Sequence, residues 1–123
     1  MNDNTEHCKM IAENLEAIAE GRAYWDEDHN LDFVPEGEGI PEDCDQVSMW
    51  DYFDDVYDIE YRLDSNKEYK SVALMVACGG PNIWVDSGNC EVELFWWGDH
   101  ASWPISHDVA DEIDEVFSEI YSC

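Results

Sequence analysis

The chain has 123 residues, of which 31 are Asp or Glu and only five are Lys or Arg, so its formal net charge at pH 7 is −26. That length predicts a single domain, residues 1–123, that can bury a hydrophobic core. High charge with low hydrophobicity is typical of disorder, but 45% of these residues are hydrophobic and six are Trp, which predicts a folded domain with an acidic surface. Such a surface repels phosphate, which argues against direct binding to nucleic acid or to an anionic membrane.

The cysteines and the N-terminal segment indicate the cellular compartment in which the protein is expected to work. The five cysteines are odd in number and include no Cys-x-x-Cys pair, so no disulfide framework is predicted. The N-terminus is polar and acidic at Asp3 and Glu6, without the apolar core of a signal peptide. No apolar stretch reaches the length of a membrane span. We therefore expect a reduced, cytoplasmic protein.

The N-terminal segment, from about Thr5 to Arg22, places Ile11, Leu15 and Ile18 at helical spacing and predicts a first helix. The period is lost from Ala23 to Val47, where Pro and Gly recur and nine acids occur without a Lys or Arg. This pattern predicts a long acidic loop, and a loop of that length is usually functional or mobile. The candidate partner-binding residues in it are Asp26, Glu27 and Asp28.

A short second helix is predicted after Ser48, a favourable N-cap, with Asp51 in its first turn. Trp50 and Phe53 follow at helical spacing and are expected in the core, whereas Tyr52 is expected to be exposed. Carboxylates with interleaved aromatic rings suit an interface with Arg and Lys. The candidate partner-binding residues here and at the start of the next strand are Tyr52, Asp51, Asp54, Asp55 and Asp58.

The rest of the chain predicts four strands joined by short turns, over Tyr57–Leu63, Tyr69–Cys78, Ile83–Asp86 and Cys90–Trp97. Short turns make the sheet an antiparallel meander. Ser106 then caps a final helix with Val109, Ile113 and Phe117 on its buried stripe. The predicted fold class is α+β: an antiparallel four-stranded meander sheet with the N-terminal, short middle and C-terminal helices packed on one face.

The C-terminal helix is densely acidic, and no Lys or Arg follows Lys70. Acids at positions 108, 112, 115 and 119 recur at spacings of three and four, which places them about 5–6 Å apart along one face. Phosphates along a DNA strand are spaced on a similar scale. An ordinary solvated face is the alternative interpretation. The candidate partner-binding residues of this helix are Asp108, Asp111, Glu112, Glu115 and Glu119.

Metal binding and catalysis have little support in the sequence. The Asp and Asn residues at 26, 28, 30 and 32 resemble the start of a calcium loop, but Leu31 and Gly37 stand where that loop needs Gly and a bidentate Glu. The histidines at 7, 100 and 107 lack the spacing of zinc ligands. No phosphate-binding loop and no nucleophile motif is recognisable. We therefore expect neither a cofactor nor enzymatic activity.

Small size, extreme acidity, acid-lined helices and many Trp residues occur together here, and residues 71–123 contain no base. The stretch from Tyr69 through Gly79-Gly80-Pro81-Asn82 to Trp96-Trp97-Gly98 also has the character of a small phage-borne domain. In these features the chain resembles the small acidic anti-defence proteins of bacteriophages and mobile elements, which include anti-CRISPR and anti-restriction inhibitors that act as DNA mimics.

The resemblance implies a non-enzymatic inhibitor in the cytoplasm of a bacterial host. Its oligomeric state stays open between monomer and homodimer, and exposed Trp96, Trp97 or Trp103 would support a dimer. Its partner would be the basic nucleic-acid-binding surface of a CRISPR effector or a restriction nuclease subunit. Two other functions stay open: an immunity protein that neutralises a basic nuclease toxin, and a halophilic or calcium-binding structural module. Salt separates these functions, because a mimic loses its partner as salt rises whereas a halophilic protein gains stability.

Overall fold

The structure, a computed structural model, describes residues 3–122 and contains three helices and two antiparallel sheets within that range. The helices are α1 (Asp3–Ala19), α2 (Met49–Tyr52) and α3 (His107–Ser122). The smaller sheet consists of β1 (Ala23–Trp25), β2 (Leu31–Phe33) and β3 (Asp45–Gln46). The larger sheet is a meander of β4 (Asp58–Leu63), β5 (Tyr69–Ala77), β6 (Asn82–Asp86), β7 (Glu91–Trp96) and β8 (Asp99–Pro104), in that order. The α+β class is confirmed, but the meander has five strands instead of the predicted four.

The fifth strand, β8, is not predicted because the turn before it has an unusual sequence. β7 and β8 are joined by Trp97-Gly98, two residues with positive φ angles of 51° and 82°. This is the backbone pattern of a type I′ turn, for which Asn-Gly is the usual sequence. After the turn, Ala101 and Trp103 pack against the core. Pro104 ends β8 at the edge of the sheet, where proline costs no ladder hydrogen bond.

The acidic segment 23–47, predicted as one long loop, contains the smaller sheet. β1 pairs with both β2 and β3, and the Val47 N–H donates to the carbonyl of Ala23 at 3.0 Å. Strands of two or three residues are too short to show a period of two in the sequence. The irregular connection, residues 34–44, is therefore much shorter than the predicted loop.

One hydrophobic core lies between the helices and the larger sheet. Alternate residues of the central strands point into it, including Leu74 of β5, Val85 of β6 and Val92 of β7, which are aligned across the sheet and are fully buried. α1 and α3 contribute Leu15 and Ile113 to the same cluster. Burying each such side chain contributes about 1.5–3 kcal/mol. The helices therefore cover one face of the meander.

The cap residues of α1 and α3 lie where the sequence predicts them, although α1 spans Asp3–Ala19 instead of about Thr5 to Arg22. Gly21, with a φ of 75°, ends α1, and the N–H of Arg22 donates to the carbonyl of Ala17 at 2.8 Å. At the start of α3 the Ser106 hydroxyl accepts from the N–H of Val109 at 3.2 Å. No helix within residues 3–122 is long and apolar enough to cross a membrane.

The other face of the larger sheet carries polar and charged side chains. Arg62 of β4 reaches across to Asp86 of β6, with an Nη1–Oδ1 distance of 2.7 Å, and its Nε lies 3.8 Å from Glu60. On β7 and β8, Glu93 lies 3.1 Å from the ring nitrogen of His100. Cross-strand pairs of this kind hold the register of a sheet whose outer face is wet.

Candidate partner-binding surface

The acidic surface is largely unneutralised. Within residues 3–122, Lys or Arg nitrogens lie within ion-pair distance of four carboxylates, those of Glu13, Glu20, Glu60 and Asp86, whereas the chain has 31 acids. All but Asp86 are solvated pairs, which contribute little to stability. The remaining carboxylates repel one another, and this repulsion lowers the stability of the folded state. A surface with mixed charges avoids this loss of stability.

The outer face of α3 presents a row of exposed carboxylates. At about 100° per residue, Asp108, Asp111, Glu115 and Glu119 fall within roughly 80° of one another, on the side opposite the buried residues of the helix. All four are exposed, and the buried stripe includes Val109, Ile113 and Phe117. Successive members of the row are about 4.5–6 Å apart along the axis. We call these four residues the α3 acidic row.

Glu112 does not belong to this row, although its spacing from Asp108 and Glu115 predicts that it does. It lies on the flank of α3 that turns towards Val116, where it is half-buried, and its Oε2 is buried without a hydrogen-bond partner. Burial raises the pKa of the Glu112 carboxyl, and the nearby charge of Glu115 raises it further. The prediction that Glu112 lies on the exposed acidic face is therefore wrong, and Asp111 takes its place in the row; a contact between Glu112 and a partner stays a prediction.

Asp114 has a structural role on the opposite flank of α3. Its Oδ1 accepts a hydrogen bond from the Tyr69 hydroxyl at 2.7 Å and another from the Ser87 hydroxyl at 2.7 Å. Ser87 is buried, and its hydroxyl also contacts the backbone N–H and carbonyl of Val72. Burial, followed by the hydrogen bond to Asp114, raises the pKa of Tyr69 strongly. This network fixes α3 to the larger sheet, and thus fixes the direction in which the α3 acidic row points.

α2 reverses the predicted exposure of two aromatic residues. Met49 and Phe53, which are four residues apart, share the inward side and are each 2% exposed. Trp50 is therefore turned outward and is 49% exposed, against the prediction that it is in the core. Tyr52 is half-buried, and burial, followed by the charge of Asp55, raises the pKa of its hydroxyl to about 12. Tyr52 is thus wrong as an exposed contact, and Trp50 is the aromatic residue presented to solvent.

α2 is held by contacts that the sequence partly predicts. The Ser48 hydroxyl accepts from the N–H of Asp51 at 3.1 Å, and the Asp51 carboxylate accepts from the N–H of Ser48 at 3.1 Å, which completes a capping box. Phe53 packs edge-on against Phe117 of α3, with ring centroids 6.0 Å apart. One side of the Asp51 carboxylate is therefore engaged, although the residue is exposed.

α2, which carries the second set of predicted acidic contacts, lies next to α3. Trp50 lines a groove of about 300 Å³ together with Val116, Glu119 and Ile120 of α3. On the other side of α2, Asp55 lines a cavity of about 260 Å³ with Trp25 of β1. The residues after Trp50 in this group are exposed to solvent: Asp51, Asp54, Asp55 and Asp58. α2 therefore neighbours α3, and α2 with the residues after it also neighbours the β1–β2 hairpin.

The acids of the β1–β2 hairpin differ in role. The Asp26 carboxylate accepts from the backbone N–H groups of Asp28 at 2.9 Å and Asn30 at 2.8 Å, so it shapes the turn and is only half-exposed. Glu27 and Asp28 are exposed. With Asp43, these acids line an open groove of about 410 Å³. Of the three predicted contacts in this hairpin, Glu27 and Asp28 are free to face a partner.

Metal ligands are not gathered anywhere in the described part of the chain. Residues 3–122 contain no group of three or more His, Cys, Asp or Glu side chains placed to hold a metal ion. The Asp and Asn series at 26–32 forms the β1–β2 hairpin, in which the Asp32 carboxylate accepts from the hydroxyl of Tyr24 at 3.2 Å. Cys8, Cys44, Cys78 and Cys90 are free thiols.

Comparison with known proteins identifies no relative. No protein-family model matches the chain, no curated protein matches its sequence, and no solved structure matches its fold. The function therefore has to be inferred from the chain's own residues.

Titration of three carboxyl groups should make stability depend on pH in two opposite ways. Burial raises the pKa of Glu91, and repulsion from Glu93 adds to this; burial likewise raises that of Glu112. Burial alone would raise the pKa of Asp86, but hydrogen bonds from Arg62 and from the backbone N–H of Asn89 outweigh it and lower this pKa. The raised groups favour the folded state when protonated, and Asp86 favours it when ionised.

We therefore expect the free energy of unfolding to rise as pH falls from 7 to about 4.5, because the stability from Glu91 and Glu112 is lost as pH rises through their folded pKa values. Relief of general repulsion acts in the same direction. Below about 4 the contribution of Asp86 is lost, so stability should fall. Urea unfolding followed by Trp fluorescence at several pH values measures this, and Glu112→Gln should flatten the rise. A steady loss of stability from pH 7 to 5 would contradict it.

Proposed function

We propose that this protein is a non-enzymatic acidic inhibitor that occupies the basic nucleic-acid-binding surface of a bacterial defence nuclease or CRISPR effector, acting as a DNA mimic. The observation that supports this most directly is the α3 acidic row, four exposed carboxylates on one helix face beside the acids of α2. In nucleic-acid-binding proteins the complementary surface is a patch of Lys and Arg that neutralises phosphates.

A helix suits this role because it holds charges at fixed positions. The spacing of about 4.5–6 Å between successive carboxylates of the row is on the scale of phosphates along a strand. α3 is fixed by the Asp114 network on one flank and by Phe117, on its buried stripe, which packs on Phe53, so the charges are presented before binding. Preorganised charge of this kind speeds association with a basic partner, and the effect weakens as salt rises.

Trp50 adds an apolar anchor to the charged groups, since it lies beside Glu119 of the α3 acidic row and precedes Asp51 in the chain. Half-exposed Trp residues bordered by polar side chains are typical of interface hot spots. Its groove is lined on one side by Glu119, so an Arg or Lys of the partner could contact both the ring face and a carboxylate. The α3 acidic row, the α2 acids and Trp50 together form the proposed interface.

Trp50→Ala should weaken partner binding by about 2 kcal/mol or more, roughly 30-fold, since a central Trp is the residue type that most often dominates an interface. Its effect on the free energy of unfolding should be small because the ring is 49% exposed. Isothermal titration calorimetry with the partner measures the first and urea unfolding the second. Trp50→Phe should retain part of the affinity. Unchanged affinity in Trp50→Ala would remove Trp50 from the interface.

The partner can be sought by capture from bacterial lysates that contain restriction and CRISPR effector complexes, with elution along a salt gradient and identification by mass spectrometry. The proposal predicts one basic nuclease or effector subunit, released at moderate salt and displaced by added DNA or RNA. Recovery of a nuclease toxin in its place would favour the immunity function. Recovery of abundant basic proteins alone, at low salt, would mean that the charge is not a specific recognition surface.

A further inference from the structure

The tip of the β7–β8 hairpin is a cluster of exposed aromatic side chains. Phe95, Trp96 and Trp97 are 43%, 38% and 84% exposed. Trp96 and Trp97 meet edge-to-face with centroids 5.4 Å apart, and Phe95 lies 4.9 Å from the ring of His100. Four rings are therefore grouped at one end of the larger sheet, and each of these side chains stays exposed in the folded protein.

Trp97 is also placed at a conformational cost. Its φ of 51° is left-handed, and type I′ turns favour Asn, Asp or Gly at this position. A bulky residue there is strained, and strain of this kind usually marks a functional position. Burial does not offset the cost, because the ring is 84% exposed. Stability of the fold alone therefore gives no reason for a Trp at this turn.

The rings enclose a shallow pocket whose chemistry suits an organic cation. Its volume is about 470 Å³, and it is lined by Phe95, Trp96, Trp97 and His100 together with Asp99 and Asn82. Aromatic faces attract ammonium and guanidinium groups, and a planar guanidinium also stacks on them. The Asp99 carboxylate and the net charge of −26 add a favourable field for a cation.

We propose that this aromatic tip binds an arginine side chain of a protein partner. The tip lies at the end of β7, whereas α3 begins beside the start of β7, where the N–H of Ile105 donates to the carbonyl of Cys90 at 2.9 Å. The two ends of this six-residue strand are about 17–20 Å apart. The site is thus separate from the start of the α3 acidic row, and the inference does not rest on the proposed function.

Arginine methyl ester is the probe for this site, and the indole N–H resonances of the six Trp residues report on it in two-dimensional NMR spectra. We expect saturable shifts of the Trp96 and Trp97 signals, with the signal of Trp103, whose ring packs against the core, as the internal reference. The matched control ligand is 3,3-dimethylbutan-1-ol, which is apolar and neutral and should cause much smaller shifts. Sodium chloride at the same ionic strength controls for screening.

Trp97→Asn is the variant of choice because Asn-Gly is the preferred type I′ sequence. The variant should keep or raise the melting temperature and should abolish the saturable shift of the Trp96 signal. Three outcomes overturn the proposal: equal shifts with the neutral alcohol, which would indicate an apolar docking site; shifts that depend on protein concentration without any probe, which would indicate contact with a second copy; and no saturable shift with arginine methyl ester.

Discussion

Reversing three charges of the α3 acidic row, in the variant Asp111→Lys, Glu115→Lys and Glu119→Lys, should weaken partner binding by roughly 100-fold or more. Juxtaposed like charges at an interface cost several kcal/mol, and about 1.4 kcal/mol corresponds to a tenfold change in affinity. The fold should tolerate the change, since all three side chains are exposed and the reversal relieves repulsion along the helix. Surface plasmon resonance with the captured partner measures both rate constants.

The matched control reverses three acids in the 34–44 connection: Glu36→Lys, Glu38→Lys and Glu42→Lys. These side chains are also exposed, and the change in net charge is the same. If the partner contacts α3, the control should slow association moderately through weaker steering but leave the dissociation rate nearly unchanged. Equal effects of the two variants on dissociation would show that net charge, and not the α3 acidic row, determines binding.

Asp114→Ala should lower the free energy of unfolding by about 2–4 kcal/mol, because hydrogen bonds to a charged acceptor contribute about 1.5–3 kcal/mol each and the two that it accepts are not additive. The variant leaves the Tyr69 hydroxyl without its acceptor and removes one partner of the buried Ser87 hydroxyl. This network links α3 to Tyr69 of β5, a strand that α3 also contacts directly. The midpoint of urea unfolding, compared at constant slope, measures the effect.

Asp111→Ala is the control for this second prediction, because it removes an exposed carboxylate from the same helix. Its effect on the free energy of unfolding should stay within about 0.5 kcal/mol. The pair therefore separates an acid that holds the fold together from an acid that faces a partner. A loss below about 1 kcal/mol in Asp114→Ala would show that packing, and not the hydrogen bonds, fixes α3 on the sheet.

Long periodic segments of this fold could be predicted from the sequence. α1 and α3 each present an apolar stripe over four or more turns, and their caps, Gly21 and Ser106, are readable in the sequence. β5 is apolar on both faces and lies inside the sheet as its composition predicts. Four strands could not be predicted: β1, β2 and β3 have only two or three residues each, and β8 follows a turn whose left-handed residue is a Trp.

The candidate surface was predictable in outline only. The acidic groups follow from composition, but burial on a helix flank depends on neighbours that the sequence does not specify, as Glu112 shows. α2 has only four residues, so its sequence does not specify which side faces the core. In the structure Met49 and Phe53, four residues apart, are both buried, which leaves Trp50 exposed. The structural role of Asp26 could have been predicted, because Asp side chains often accept hydrogen bonds from backbone N–H groups in turns.

A competition experiment tests the central claim most directly. The captured partner is held with a fluorescently labelled DNA or RNA, and the protein is added at salt concentrations from about 50 to about 300 mM. We expect the protein to displace the nucleic acid with one-to-one competition, and its own affinity for the partner to fall linearly on logarithmic axes as salt rises. Formation of a ternary complex, with the nucleic acid still bound, would contradict the proposal that this protein occupies a nucleic-acid-binding surface.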